Sequence, residues 1–309
     1  MAITMDDLGT PDNKCGALTA AERKTMNILP GNMRLIKTLC TTLLMTVSLA
    51  ATVRGEDVVR INGSGSALDM LKPLVEAYRK TNRDVRIDVE KPLGSSGAVK
   101  ALLAGALDAV VSSKPLKPEE MAKGAQLKEY GRTPMVIVTE KSARKQDIST
   151  KELEEIYAGT TSVWQTGEKI RLVLRPKEDI DTTIMRSLSP GLDRAITRSH
   201  SRPAMIIAVT DPEAYSTVSN TPGGLGSTSL VSIITEKLPL NTLSLNGIRP
   251  TTKNLASGAY PLFKEISFVT TPRTNPAALK FIGFVYSAQG RAIAEKAGVL
   301  VTAKVKADK

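Results

Sequence analysis

After residue 57 the hydrophobic positions form short β-rich runs that alternate with stretches of helical period. Residues 58–62 (VVRIN) read as a strand that runs into Gly63-Ser64-Gly65-Ser66. A helix follows, because Leu71, Leu74, Val75 and Tyr78 recur at i, i+3, i+4 and i+7. Pro73 falls early in it and weighs against its first turn. Residues 85–89 (VRIDV) form the next strand. Gly94-Ser95-Ser96-Gly97 then opens a helix with Val99, Leu102, Leu103 and Ala106 on one face. Residues 108–112 (DAVVS) are a third strand, ending at Ser112-Ser113. This βαβαβ order predicts an α/β fold with a mainly parallel sheet.

Downstream, residues 135–139 (MVIVT) read as a strand and Ser149 as the cap of a helix over 151–157. A strand over 170–174 delivers Arg175-Pro176 to a loop, and Asp181 is placed to cap a helix that begins at Thr182-Thr183. Asp211-Pro212 starts another helix ahead of the Gly-rich stretch 221–226. Residues 266–270 read as a strand. Asn275-Pro276 supplies the cap and first position of a helix through Tyr286, and Ser287 starts the last helix, which Gly298 stops.

The segment before residue 56 reads as an address. Met33-Arg34-Leu35-Ile36-Lys37 is basic, and the sixteen residues 38–53 carry no charge. A transmembrane helix needs about 20 such residues, so a secretory signal peptide is expected over about 33–55, cleaved after Ala50 or Gly55. Lys37 to Leu39 lack the small apolar pattern of a lipobox before Cys40. The polar stretch 1–25 stands ahead of this signal, which points to a translation start at Met26 or Met33.

Composition then removes several chemistries. Of 309 residues 41% are hydrophobic and 24% charged, which excludes disorder, collagen and coiled coil. Cys15 and Cys40 are the only cysteines and His200 the only histidine, so a Cys/His zinc site, a disulfide framework and a CxxC redox pair are excluded. Both thiols precede the cleavage region, which suits an oxidising exported compartment. The net charge is +11. Six basic and four acidic side chains lie before residue 56, which leaves +9 after it. Those basic residues are scattered among few aromatics, unlike the clustered face of a nucleic-acid binder, and fit the attraction of small anions to a cleft.

Three Ser/Gly turns carry the candidate chemistry: 63–66, 94–97 and Ser112-Ser113. The first two open helices, whose N-termini expose unpaired N–H groups and a partial positive charge. Glycine lets the backbone approach a ligand and serine adds a donor that rotates to fit, so the set suits a tetrahedral oxyanion. Neither G-x-G-x-x-G nor G-x-x-x-x-G-K-[ST] follows the first strand, which argues against a dinucleotide or nucleoside-triphosphate site. A plain N-cap role is the competing explanation for each serine. His200, in the polar stretch 198–202, is expected to be exposed and incidental, and Trp164 to pack or rim the second half.

The ordered motifs INGSGSALDMLKPLVEAYRK, GSSGAVKALLAGALDAVVSSKPL, ISTKELEEIYAGTTSVWQTGEKIRLVLRP, NTPGGLGSTSL, ASGAYPLFKEISFVT and FIGFVYSAQGRAIAEKAGVL resemble the periplasmic phosphate-binding proteins of ABC transporters. The resemblance spans residues 58–300. It implies a type II periplasmic-binding-protein fold, with two α/β lobes joined by a two-strand hinge: lobe I over 57–136 plus 266–309, and lobe II over 137–265. It also implies an extracytoplasmic, periplasmic solute receptor. Such a protein binds phosphate or a related oxyanion in the interlobe cleft, needs no cofactor, acts as a monomer, and meets the membrane only through a permease.

Carried over by motif, the ligand groups would be Ser64, Ser66 and the Leu68 backbone in the first loop. Ser95, Ser96 and Gly97 would serve in the second, and Ser113 in the third. Arg175 and Thr182 would come from the other lobe. Where some members of the family have an aspartate that accepts the ligand's proton, this chain has Ser113. Where the family has Ser-Gly-Thr, it reads Asp179-Ile180-Asp181-Thr182. Asp179 or Asp181 is then a candidate for the proton-accepting role; the alternatives are that Asp181 caps its helix, or that both face solvent and the pocket accepts sulfate, molybdate or another oxyanion. Two rival functions remain at this point: an oxyanion sensor or assembly protein of the same fold without a transport role, and a phosphate-ester hydrolase. The hydrolase is disfavoured because no Ser–His pair or metal-ligand cluster is evident.

Overall fold

The computed structural model describes residues 56–303. The expected signal peptide, the cleavage region and both cysteines lie outside the described residues. The chain enters as β1 (Asp57–Gly63), α1 (Gly65–Arg79), β2 (Val85–Val89), α2 (Gly94–Leu103) and β3 (Ala109–Ser112). β2 and β3 both lie parallel to β1, as the alternating pattern predicts. After α3 (Pro118–Ala122) comes the 14-residue strand β4 (Gln126–Thr139). The middle of the chain runs β5 (Asp147–Ile148), α4 (Thr150–Ala158), β6 (Arg171–Leu174), α5 (Ile180–Arg186), α6 (Pro190–Ser199), β7 (Ile206–Ile207), α7 (Asp211–Asn220) and β8 (Gly224–Ser229). It ends with α8 (Leu230–Thr235), β9 (Asn241–Thr242), β10 (Ser244–Leu245), α9 (Thr252–Ala256), β11 (Phe263–Thr270), α10 (Pro276–Tyr286), α11 (Ala288–Lys296) and β12 (Leu300–Val301).

The main sheet has the order β2-β1-β3-β11-β4-β8-β6-β7, with β12 and β9 also paired to β4. β4 is the bridge. Its residues 126–134 pair antiparallel with β11, and its residues 135–139 pair antiparallel with β8. β11 also pairs with β3, so β4 and β11 together link the two ends of the sheet.

Each end has its own core. Around β1, α1, β11 and α10 the buried cluster includes Val59, Ile61, Leu71, Leu74, Phe268 and Phe281. Around β4, α4, β6 and α6 a second includes Met135, Ile137, Leu153, Leu174, Leu192 and Ile196. Each such side chain contributes roughly 1.5–3 kcal/mol by leaving water. α8 lies within 137–265 in sequence, yet its Val231 packs in the first cluster.

Several local expectations are met by their physical cause. Ser149 caps α4 and closes a capping box with Glu152, while Asn275 caps α10 ahead of Pro276. Ser287 caps α11. Others are corrected. α2 stops at Leu103, before Ala106: Gly105 takes φ +79° and Ala106 N–H donates back to Ala101 O at 2.9 Å, a helix-ending motif. α1 begins at Gly65 and runs straight through Pro73. Trp164 does pack in the second cluster as expected, its Nε1–H donating to Gly223 O at 3.1 Å.

Candidate functional site

A cavity of about 260 Å³ opens where the carboxyl ends of β1, β3 and β6 meet the N-terminal ends of α1, α2, α5 and α7. Strand carboxyl ends and helix N-termini in parallel α/β layers converge on one place, and both favour an anion there. Asn62, buried at the end of β1, fixes one wall. Its Oδ1 accepts from the amides of Gly63 and Leu93, each at 2.8 Å, and its Nδ2 donates to Lys91 O. The loop ahead of α2 is thereby tied to β1.

Three serines from three turns meet in this wall. Ser64 Oγ and Ser113 Oγ lie 2.8 Å apart, and Ser95 Oγ accepts from the Ser113 amide at 3.0 Å. All three are buried. Each hydroxyl carries one donor hydrogen. The Ser64–Ser113 contact uses one of the three, and the other two find no acceptor among the described residues. Buried donors of this kind call for an acceptor. The amide ends of Ser95, Ser96 and Gly97 at the start of α2 line the same space.

Facing them is Arg175, just beyond β6 and only 6% exposed. Its Nε and Nη2 donate to Asp179 at 3.3 and 3.0 Å, and its Nη1 donates to Ala208 O at 3.0 Å. Burial works against this charge, but the carboxylates of Asp211, Asp181 and Asp179 outweigh it and hold the guanidinium above its ordinary pKa. Asp179 also caps α5 by accepting the Asp181 amide at 2.9 Å. Lys114 reaches over the mouth, its Nζ donating to Glu178 O at 2.6 Å.

Beneath the cavity lies a buried charge cluster. Lys264 of β11, 1% exposed, places Nζ 2.5 Å from Asp211 Oδ1, 2.6 Å from Asp181 Oδ1 and 3.0 Å from Ser66 Oγ. The Asp181 contact is an ion pair without hydrogen-bond geometry at Oδ1, while Asp181 Oδ2 accepts from Ser227 Oγ at 2.9 Å. Burial pushes Asp181 up to about 6 even against Lys264, with Asp179 and Asp211 adding to the shift. Burial also opposes the Asp211 charge, but Lys264 and Arg175 prevail and hold it well below the usual carboxylate range. Lys264 is raised because Asp181 and Asp211 outweigh its desolvation.

Of the residues proposed from sequence, Ser64, Ser95, Ser96, Gly97, Ser113 and Arg175 line the cavity; Ser66, Leu68, Asp181 and Thr182 do not. Ser66 is fully buried and bonded to Asp211 and Lys264. The Leu68 amide donates within α1 to Ser64 O, and Thr182 Oγ1 donates to the carbonyls of Arg175 and Pro176. The cap of α5 is Asp179 rather than Asp181, because the helix begins at Ile180 and turns Asp181 inward toward Lys264. His200 is half-buried, not exposed, and its Nε2 sits 2.8 Å from Arg175 O. Asn62, Asp211 and Lys264 were missed. A lysine inside the strand pattern of 263–270 was the available signal for Lys264, since a charge at a buried strand position needs partners.

Comparisons with known proteins point the same way. The Phosphate-binding protein PstS of Borreliella burgdorferi is 25% identical over 83% of this chain and 95% of that protein. The protein of the same name from Bacillus subtilis is 24% identical over 74% of each chain. A solved structure from Clostridium perfringens, described as a candidate phosphate ABC transporter substrate-binding protein with bound phosphate, has a TM-score of 0.67 at 20% identity. The match covers 80% of this chain and 100% of that one. An ABC-type phosphate transport receptor from Vibrio cholerae has a TM-score of 0.54 at 17% identity, over 79% of this chain and 99% of that one. These two share the fold, the two-lobed periplasmic-binding-protein architecture. The family model for the PBP superfamily domain matches residues 46–289, and the chain therefore belongs to that family.

Proposed function

We propose that this protein captures one tetrahedral oxyanion, phosphate first among them, in the cavity and presents it to the permease of an ABC transporter. It acts as a monomer outside the cytoplasmic membrane, after export through a cleaved signal peptide. The observation that carries the reading is the surplus of buried donors: two serine hydroxyl hydrogens without acceptors, opposite a buried arginine and beside the α2 N-terminus. A tetrahedral oxyanion, with acceptor oxygens facing every side, satisfies all of them at once. Relatives named for phosphate binding, matched over most of their length, support the choice of ligand. The two core clusters support lobes meeting near residues 136 and 266, with β4 and β11 as the hinge.

Binding, not catalysis, fits the side chains present. His200 does not line the cavity, and its Nε2 is engaged by a carbonyl, so no serine has an imidazole base. Among the described residues no group of three His, Cys, Asp or Glu side chains is placed to hold a metal. Of the two aspartates proposed from sequence, Asp179 lines the cavity and Asp181 does not, which supports Asp179, already accepting from Arg175, over Asp181 as a partner for a ligand's proton. Calorimetric titration of the mature protein, first stripped of bound anion, with phosphate, sulfate and molybdate tests the reading. Saturable one-site binding of phosphate is expected; no heat with any of the three overturns it.

A further inference from the structure

Asp211 belongs to one core region and bonds to the other. It opens α7, whose Ala214 and Val218 pack with Val136 and Val173 near β4 and β6. Its carboxylate nevertheless reaches the first turn of α1, where Oδ1 accepts from Ser66 Oγ at 2.9 Å and Oδ2 from the Ser66 amide at 3.3 Å. Lys264 braces the same Oδ1 at 2.5 Å, from the strand that passes beside β4 between the two regions. The approach depends on Gly65: a Cβ there would fall 2.7 Å from Asp211 Cβ and 2.8 Å from its Oδ2. A helix N-terminus is a ready anion seat, and here the chain fills it with a carboxylate of its own. At the mouth, Lys114 makes a second link by donating to Glu178 O.

We propose that Asp211 is a built-in anion that occupies the α1 seat and latches the two lobes together in the absence of ligand. Two consequences follow. The ligand is left the space between the α2 N-terminus, the serine cluster and Arg175, so Ser66 and the Leu68 amide serve the latch rather than the ligand. Cleft closure also no longer waits on the ligand, so the closed, binding-competent fraction is high beforehand. Apparent affinity scales with that fraction. A variant whose closed fraction falls to about one tenth therefore binds every oxyanion about tenfold more weakly, without a change in preference among them. This second consequence rests on the oxyanion reading; the latch itself does not.

The chain has no cysteine after residue 55, so Glu119→Cys and Lys151→Cys give a unique pair of spin-label sites, one in each region. Their distance distribution, read together with small-angle scattering, reports closure without any ligand. The wild-type background is expected to show one short distance, unchanged by saturating phosphate. Asp211→Asn is expected to add a longer component and a larger radius that phosphate reverses, and Ser66→Ala a weaker form of the same change. Should Asp211→Asn lose its native circular dichroism, Ser66→Ala decides the matter. An unliganded wild type that is already open and compacts on phosphate overturns the latch, as does a folded Asp211→Asn, or Ser66→Ala in its place, that stays as compact as wild type. A wild type that is closed yet binds no oxyanion would leave the latch standing and sink the functional reading alone.

Discussion

Replacing Lys264 by methionine keeps most of the apolar stem of the side chain and removes the ammonium, with its charge and its donors to Asp211 and Ser66. The ammonium is 1% exposed and lies 2.5 Å from Asp211 and 2.6 Å from Asp181. Breaking a buried pair by removing one partner costs about 3–5 kcal/mol, because the opposite charge is left buried without compensation. For a domain of this size each kcal/mol moves the melting temperature by about 2–4 °C, so Lys264→Met should melt roughly 6–20 °C lower. The loss also has a sign in pH. In the wild type Asp211 is held below the carboxylate range, so its stabilisation is present above the ordinary carboxylate pKa and is lost only as pH falls through the depressed value. Without Lys264, burial remains at both carboxyls while their strongest counter-charge is gone, so both shift upward and protonation relieves the variant in acid. The deficit against wild type should therefore be larger at pH 8 than at pH 5. Urea unfolding of both proteins at the two pH values measures it. A deficit below about 1 kcal/mol, or one equal at both pH values, would refute the view that Lys264 neutralises this cluster.

Other expectations are simpler. Arg175→Ala removes a charge-assisted contact worth about 1.5–3 kcal/mol, so phosphate affinity should fall about tenfold to a hundredfold, while Ser95→Ala, at about 1 kcal/mol, should cost about fivefold; calorimetry orders the two. Burial sets Asp181 at about 6 in the folded state, above its unfolded value, so wild-type stability should decline as pH rises from about 4 to about 6, by at most about 3 kcal/mol. Asp181→Asn should flatten that slope, and an unchanged slope would assign it to other groups. The exported protein should begin near residue 51 or 56 and carry no thiol, and an intact mass that retains Cys40 would refute the leader assignment.

Much of the site was legible because its determinants are local. A strand followed by small hydroxyl residues and a helix is written in consecutive positions, so Ser64, Ser95 and Ser113 could be proposed from their turns and do meet in one wall. The pattern placed Arg175 at the end of a strand, but its ligand role was implied only by the family resemblance. Asp181 was misjudged as a cap because the sequence offers two aspartates two positions apart. Only the exact start of α5 decides which one faces the amides and which turns inward.

The periodicity of apolar residues and local capping determined the α/β class, the βαβαβ opening and the starts of α4, α10 and α11, since 3.6- and 2-residue repeats and caps act within a few residues of chain. Tertiary structure alone decided that Lys264, Asp181, Asp211 and Ser66 form one cluster. They are 198 positions apart at the extremes and come from β11, α5, α7 and α1. A charge is tolerated at such depth only where folding brings its counter-charge within contact distance, and no local pattern encodes that meeting. The same physics separates the serines, whose hydroxyls face the cavity from their own turns, from Ser66, whose hydroxyl is claimed by a residue 145 positions away.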